Sequence, residues 1–82
     1  MAGLAVRISY DPDSDAAMIF LTGDIAPGGA PRSAMCDLEV QEAAVILLLS
    51  EADRLVGIEV LGASKLLPPE LLAGGESEDA PS

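Results

Sequence analysis

One stretch of the chain, residues 43–61 with the sequence AAVILLLSEADRLVGIEVL, constrains the fold more than any other. It contains two aliphatic runs of strand length, residues 45–49 and 54–61, separated by the short polar segment 50–53. Two such runs joined by a short turn predict an antiparallel β-hairpin, and the unbroken first run predicts a strand buried on both faces. Gly57 interrupts the second run, which indicates a bulge or a close approach by other backbone atoms.

The residues before this hairpin predict three further strands. Residues 5–10 alternate apolar and polar side chains, which is the two-residue period of a strand with one wet face. Residues 11–15 are rich in Asp and contain Pro12, so the chain turns there, and residues 16–22 form a second, more apolar strand. Residues 23–33 are dense in Gly and Pro and predict a loop, after which residues 34–40 predict a half-exposed third strand.

Residues 63–72 predict a short helical piece near the C-terminus. Leucines recur there at helical spacing, but Pro68 and Pro69 interrupt them, so we expect one turn at 64–67 and a second that begins near Pro69. The polar, acidic residues 73–82 predict a disordered tail after a single small β-rich domain, residues 1–72. The predicted fold class is α+β and mainly β, an antiparallel meander sheet of about five strands with a short C-terminal helix.

Charge and composition exclude several partners. Four basic residues face fourteen acidic ones for a net charge of -10, which argues against nucleic acid because phosphate contacts need clusters of Lys and Arg. The apolar runs are too short to cross a bilayer, so no membrane contact is predicted. Cys36 is the only cysteine, which favours the reducing cytoplasm over a disulfide framework. No cofactor is predicted, because the Gly28-Gly29 pair lacks the ending of a phosphate-binding loop.

The aliphatic strands predict self-association. Residues 18–21 and 45–49 carry apolar side chains on both faces, whereas one short helical piece covers only one face of a sheet. Burying the second face against another copy would contribute on the order of 10 kcal/mol, comparable to the whole stability of a small domain. We therefore predict a symmetric homo-oligomer, most simply a dimer, with Gly57, Ile58 and Val60 as candidate interface residues.

The turn after the first strand has the spacing of a calcium loop at its start only. Asp11, Asp13 and Asp15 alternate as calcium ligands do. Ala16 then replaces the required glycine, and Thr22 replaces the bidentate glutamate. A hairpin turn held by hydrogen bonds from side chain to backbone is the favoured interpretation, and weak binding of a divalent cation is the alternative.

Glu59 is the one carboxylate whose position between aliphatic neighbours could raise its pKa enough for acid or base work. A salt bridge to Arg54 or Arg7 is the favoured alternative. The chain has no histidine, which removes the commonest general base and a frequent zinc ligand. No catalytic residue and no metal ligand is therefore assigned, and Asp11, Asp15 and Glu59 stand as a candidate acidic cluster.

Three segments of the chain form a combined pattern: Tyr10-Asp11-Pro12 with Asp15 and Ala16, the long aliphatic strand, and the run RLVGIEVL at residues 54–61. Together they resemble the bacterial domain of unknown function 2283, whose pattern runs Y-D-x-x-x-D-A and then G-R-L-V-G-I-E-I-L with a short D-A-S segment. The likeness covers residues 6–67. This chain has Leu48 and Ser50 where the family usually carries acidic residues, and Asp53 where it usually carries glycine.

The resemblance implies a compact, strand-rich domain with a C-terminal helical piece, and it implies no activity, substrate or catalytic residue. The departures at Leu48 and Ser50 speak against an acidic pocket shared with the family. Members of the family look like companions of other small bacterial proteins, in the manner of toxin and antitoxin pairs.

Two functions follow as hypotheses. The leading one is a non-enzymatic, self-associating interaction module that binds a basic protein, as an antitoxin does, because opposite charge speeds encounter and selects partners. The alternative is a ligand-binding or divalent-metal-binding domain, or a weak hydrolase, that uses Asp11, Asp15 and Glu59. The alternative requires these three carboxylates within reach of one point in a concave pocket.

Overall fold

The structure is a computed structural model, and it describes residues 6–23, 25–74 and 76–77. Its elements are five strands, two short helices and a final two-residue strand. In chain order they are β1 (Arg7–Asp11), β2 (Ala16–Phe20), β3 (Arg32–Met35), β4 (Ala44–Leu49), β5 (Leu55–Leu61), α1 (Ala63–Leu66), α2 (Pro69–Gly74) and β6 (Glu76–Ser77). None of the helices in these ranges has the length and apolar character needed to cross a membrane.

All strands lie in one open sheet in the order β3-β4-β5-β2-β1-β6. The pairs β1–β2, β2–β5, β3–β4 and β4–β5 are antiparallel, and β6 runs parallel to β1. The predicted class, mainly β with five antiparallel strands and a short C-terminal helix, is confirmed. The meander order is corrected at one point, because β2 pairs with β5 and not with β3. Apolar residues such as Met18 and Ile19 give β2 two apolar faces, and a position beside β5 places it inside the sheet.

β3 lies earlier in the chain than the sequence indicates. The predicted strand covers 34–40, whereas β3 starts at Arg32, directly after Pro31, and ends at Met35. The register pairs Met35 with Ile46, and the hydrogen bond from the Cys36 amide to the Val45 carbonyl (2.8 Å) extends the pairing by one residue. If this register continued, residues 38–40 would lie opposite residues that precede β4. The alternating side chains of 38–40 therefore have no neighbouring strand.

The turn between β4 and β5 forms without glycine, as predicted. The Ser50 amide donates to the Arg54 carbonyl (2.8 Å), and the Ser50 carbonyl accepts from the Asp53 amide (2.9 Å). The Ser50 hydroxyl oxygen also accepts from the Arg54 amide (3.2 Å). Asp53 has a left-handed backbone with φ of 62°, the conformation that favours glycine or a short polar residue. A register shift follows at Leu48 and Leu49, which is a bulge beside the partner of Gly57.

Burial is concentrated in one half of the molecule. The residues that the structure describes as buried are Ser9, Ala17, Gly57, Val60 and Ala63. They lie in β1, β2, β5 and α1, where Leu66, Leu67 and Leu72 pack over the sheet. In the other half, every residue of β3 is exposed and every residue of β4 is half-buried. We call these two strands the β3–β4 half of the sheet.

Two of the three candidate interface residues are buried within the subunit. Val60 is 2% exposed and packs with Ala17 and Ala63, and Ile58 packs against the same cluster. Gly57 is buried, and a Cβ placed there would lie 2.9 Å from Cδ1 of Ile25 and 3.3 Å from the Ile19 carbonyl oxygen. The close approach predicted at Gly57 is confirmed. The chain's own residues cover Gly57 and Val60, whereas Ile58 is half-buried, and the assignment of these three residues to an interface between copies stays a prediction.

The two predicted helical turns correspond to α1 and α2. The predicted tail falls partly on residues that the structure describes. Ala73 and Gly74 belong to α2, and Glu76–Ser77 forms β6, which pairs with Ser9 and Tyr10 of β1. Residues 75 and 78–82 of that tail lie outside the described ranges. The boundary between a domain at 1–72 and a tail at 73–82 stays a prediction.

Candidate functional site

Asp15 is the most heavily bonded carboxylate in the described ranges. Its Oδ1 accepts hydrogen bonds from the Tyr10 hydroxyl (2.7 Å) and the Ser64 amide (2.9 Å), and its Oδ2 accepts from the Ser64 hydroxyl (2.7 Å). Its backbone carbonyl accepts from the Ala63 amide (2.9 Å). The backbone of Asp15 is left-handed, with φ of 54°, and this turns the side chain and the carbonyl toward α1. We call Tyr10, Asp15 and Ser64 the Asp15 cluster.

The Asp15 cluster fastens the first turn of the chain to the beginning of α1. The N-cap of this helix is Gly62, which has no side chain with which to accept the first helical amides. Asp15 supplies those acceptors from the β1–β2 turn, because its carbonyl and carboxylate receive the amides of Ala63 and Ser64. A negative charge at this end of a helix also has favourable electrostatics. Asp15 therefore caps α1 across the fold.

These contacts shift two pKa values in opposite directions. The hydrogen bonds from Ser64 and Tyr10 hold the pKa of Asp15 below its ordinary value, and Lys65 adds a smaller favourable charge. The hydrogen bond to Asp15 raises the pKa of Tyr10 above its ordinary value of 10.0, since it binds the protonated hydroxyl. Asp15 is thus held as a carboxylate and Tyr10 as a neutral phenol, a pair suited to structure rather than to proton transfer near neutral pH.

Asp11 holds its own turn. Its Oδ1 accepts from the Asp13 amide (3.0 Å) and its Oδ2 accepts from the Ser14 hydroxyl (3.1 Å). This is the local bonding that favours Asp in turns, so the hairpin-turn interpretation of residues 11–15 is confirmed. Across residues 6–23, 25–74 and 76–77, no three side chains of Asp, Glu, Cys or His are gathered closely enough to hold a metal ion.

Glu59 and Asp11 line one shallow cavity of ≈ 260 Å³ on the sheet face away from the helices. Its other lining residues are Ser14, Ala16, Ala17, Met18 and Phe20. Asp11 pairs with Ala16 and Glu59 pairs with Met18, so the two acidic residues are separated by two strand spacings across the sheet and two residues along it. Their Cα atoms are therefore about 12 Å apart. At that separation the two carboxylates can flank a cationic group but are poorly placed to share one ion.

The structure thus brings together two of the three residues of the candidate acidic cluster. Asp11 and Glu59 line the cavity, whereas Asp15 turns toward α1 and does not line it. Among the described residues, Arg32 forms an ion pair with Asp53 (2.5 Å) and Lys65 forms one with Glu42 (3.2 Å). The predicted salt bridge from Glu59 to Arg54 or Arg7 stays a prediction.

The guanidinium of Arg7 lies over the Phe20 ring, 4.3 Å from its centre, on the same sheet face as the cavity. A ligand in the cavity would therefore lie near one cation and two carboxylates.

The sequence model of the family described as Protein of unknown function (DUF2283) matches residues 7–64. The chain belongs to this family. No curated protein and no solved structure matches it. The DUF2283 match begins at the first residue of β1 and ends at Ser64, so it contains all three residues of the Asp15 cluster. Asp15 and its helix-capping partner Ser64 thus both lie within the residues that the family model matches.

The family pattern has a structural explanation in this DUF2283 chain. The Tyr and the second Asp of the Y-D-x-x-x-D-A segment are Tyr10 and Asp15, and the serine of the D-A-S segment is Ser64. Asp53 stands where the family pattern has glycine, and its left-handed backbone accounts for that preference. Sequence reasoning missed Ser64 as a partner of Asp15, although the D-A-S segment was the signal that could have identified it.

Proposed function

We propose that this DUF2283 chain is a non-enzymatic interaction module that self-associates, most simply as a homodimer, and binds a basic protein. The observation that carries the proposal is the uneven burial of the sheet. β4 consists entirely of aliphatic residues, AVILLL, yet no residue of β4 is buried within the subunit. β3 beside it is exposed along its whole length. Monomeric domains normally bury a central aliphatic strand.

The energy at stake in β4 supports self-association. Full burial of one large aliphatic side chain contributes about 1.5–3 kcal/mol, and the four residues Ile46, Leu47, Leu48 and Leu49 are each only partly covered. If about a quarter of that remains, covering them would contribute about 2 kcal/mol. Small domains have a stability of about 5–15 kcal/mol, so this is a substantial fraction. A second copy of the chain can bury this apolar surface, and identical subunits are always present together.

The acidic surface supports a basic partner. The net charge is -10, and most carboxylates in the described ranges are exposed. The exposed ones are Asp13, Asp37, Glu39, Glu42, Glu51, Asp53 and Glu70. Such a surface attracts a basic protein and raises its association rate at low ionic strength. Asp11 and Asp15 are engaged in a turn and a helix cap, and Glu42 and Asp53 in ion pairs, which supports a binding role over catalysis.

Ionic strength separates the two kinds of association. Binding of a basic protein weakens as salt rises, because screening reduces attraction between opposite charges. Self-association strengthens as salt rises, because the same screening reduces repulsion between two copies of charge -10.

Sedimentation velocity from low micromolar to high micromolar protein, at low and moderate salt, tests self-association. A monomer under every condition would contradict it. For the basic partner, a protein recovered from the host is purified and titrated at several salt concentrations, and affinity that does not fall with salt contradicts the proposal.

A ligand-binding role is the second candidate, and the cavity lined by Asp11 and Glu59 favours it. A divalent cation or a small cationic ligand that binds there raises the thermal midpoint, since it binds only the folded chain. The test is a thermal-shift titration with calcium, magnesium and manganese. Glu59→Gln should remove the shift, whereas Asp13→Asn, an exposed residue outside the cavity lining, should retain it. No shift with any ion counts against the metal form of this candidate.

A further inference from the structure

We propose that two copies join through the free edge of β3, which pairs antiparallel with β3 of the second copy about a two-fold axis. The inference rests on the proposed self-association and adds a contact at a strand edge, which extends the sheet and does not itself cover the faces of β4. β3 is the last strand on its side of the sheet, so one side of it pairs with β4 and the other faces outward. An exposed edge strand offers unpaired amides and carbonyls to another strand.

The ladder between β3 and β4 determines which backbone groups face outward. The Cys36 amide donates to the Val45 carbonyl, so Cys36 is in a hydrogen-bonded pair. In an antiparallel ladder such pairs alternate, so Ala34 also bonds to β4, whereas Ser33 and Met35 direct their amides and carbonyls away from it. Pro31, at the next outward position, has no amide hydrogen to donate. The edge therefore offers two donors, the amides of Ser33 and Met35.

The side chains of β3 are as exposed as its backbone edge. Every residue of the strand is exposed, and Met35 has 70% of its surface in water. Leu38 and Val40, which follow within five residues, are exposed at 39% each. The opposite side of the sheet ends in the two-residue β6, which offers a shorter edge. β3 is therefore the longer of the two strands that end the sheet.

Charge selects a second copy as the occupant. None of the fourteen acidic residues lies in residues 25–36, and Arg32 is the single charged residue there. Arg32 is itself paired with Asp53. Two chains of charge -10 repel each other over most of their surfaces, and this acid-free stretch is where that repulsion is weakest. A basic partner would instead be attracted to the acidic surfaces elsewhere.

One register uses both outward residues. With Ala34 on the two-fold axis, Ser33 lies opposite Met35 of the partner subunit, and Met35 lies opposite Ser33 of the partner subunit. Each of these pairs exchanges two hydrogen bonds, which gives four in all. Antiparallel pairing of a strand with itself is two-fold symmetric, as an interface between identical subunits requires. The contact is small, so we expect a dimer with a Kd on the order of micromolar.

Proline at position 33 tests the edge. Ser33→Pro removes an outward amide without removing a bond to β4, and Ser33→Ala is the matched control that keeps the amide. Sedimentation equilibrium should show that Ser33→Pro weakens the dimer about tenfold or more, whereas Ser33→Ala leaves its Kd within about twofold of the wild type. Circular dichroism verifies that each variant is folded.

Engineered cysteines test the register, and they decide the question if Ser33→Pro does not fold. Ala34→Cys, in a Cys36→Ser background, places two thiols opposite each other with Cα atoms about 4.5 Å apart, within disulfide range. Ser33→Cys in the same background places them about 8 Å apart, which is outside that range. We expect a disulfide-linked dimer from the first variant and none from the second under mild oxidation.

The outcomes separate the two proposals. A wild-type chain that is monomeric at every concentration overturns both the proposed self-association and the edge pairing. A wild-type dimer that persists unchanged in folded Ser33→Pro, or that gives no cross-link through Ala34→Cys, overturns the edge pairing and leaves self-association standing. Loss of the dimer in Ser33→Pro together with the specific cross-link supports both.

Discussion

Gly62 is the position at which the addition of a single methyl group should lower the free energy of unfolding most. Its backbone is left-handed, with φ of 68°, and it caps α1. A Cβ added there would collide with the carbonyl oxygen of Glu42 and would lie 3.0 Å from the Cα of Ala43. Both neighbours are backbone atoms, which cannot rotate away as the end of a side chain can. Gly62→Ala must therefore move the backbone of residues 42–43 or shift α1.

The magnitude can be worked out by comparison with a second glycine. Gly28 is also left-handed, with φ of 78°, but nothing lies within 4 Å of a Cβ placed there. Ala in that conformation costs about 1–2 kcal/mol, and the stiffer unfolded chain returns about 0.4–1, so Gly28→Ala should destabilise by about 1 kcal/mol. Gly62→Ala adds the collision, about 1–3 kcal/mol. We expect a total of about 2–4 kcal/mol, a large part of the stability of a small domain.

Urea unfolding followed by circular dichroism measures the difference. Wild type, Gly62→Ala and Gly28→Ala are compared at one protein concentration, because self-association would make stability depend on concentration. Equal slopes of free energy against urea confirm that the unfolding reaction is the same. Equal destabilisation by the two substitutions would refute the reasoning, since it would mean that the close approach at Gly62 has no energetic consequence.

Three further predictions concern single side chains in the turns and the Asp15 cluster, and a fourth concerns the core. Tyr10 is the only tyrosine in a chain without tryptophan, so the ultraviolet absorbance of tyrosinate reports its titration. The pKa of Tyr10 should lie above 10.0 and should fall in Asp15→Ala. Because folding raises this pKa, the stability that the Tyr10 hydrogen bond contributes should be lost as pH rises through the folded value. Because the pKa of Asp15 is lowered on folding, its contribution is present above its ordinary value of 3.8 and lost as pH falls through the folded value; Asp15→Ala should flatten that acid limb in thermal melts. Asp53→Gly should change the free energy of unfolding by less than about 1 kcal/mol, because glycine relieves the left-handed backbone and so offsets the lost ion pair. Asp53→Ala should lower it by about 1 kcal/mol, because alanine keeps the backbone strain and loses the ion pair. Urea unfolding measures both values, and the reverse order would count against the turn geometry. Val60→Ala should cost about 2 kcal/mol and half-buried Val45→Ala about 1, and equal costs would contradict the location of the core.

The features predicted correctly are those encoded by neighbouring residues. The β4–β5 hairpin follows from two aliphatic runs and a polar turn, all within residues 43–61, and the β1–β2 turn follows from Asp11 and Pro12. Gly57 indicated a close approach because a glycine weakens an aliphatic strand and leaves the space of a side chain to its neighbours. Each of these inferences depends on local periodicity and turn chemistry, which a single sequence contains.

The features missed depend on residues far apart in the chain. Pairing of β2 with β5 cannot be deduced from either strand alone, since both are rich in apolar residues and would suit several neighbours. Side-chain alternation showed that Gly57 and Val60 lie on opposite faces, but not which segment covers each face. Asp15 was grouped with Asp11 and Glu59 because all three are acidic. Its partner Ser64 lies 49 residues later in the chain, and the left-handed backbone of Asp15 directs the carboxylate toward it.

The strand order also determines the sequence of events in folding. Residues 50–54 alone separate β4 from β5, so that hairpin closes a short loop and can form within microseconds. Pairing of β2 with β5 closes a much longer loop, residues 21–54. This contact therefore has a higher contact order and should form more slowly. Refolding should therefore be limited by the docking of two hairpins that form independently. Any lengthening of the segment between β2 and β3 would slow refolding while leaving the rate of unfolding nearly unchanged.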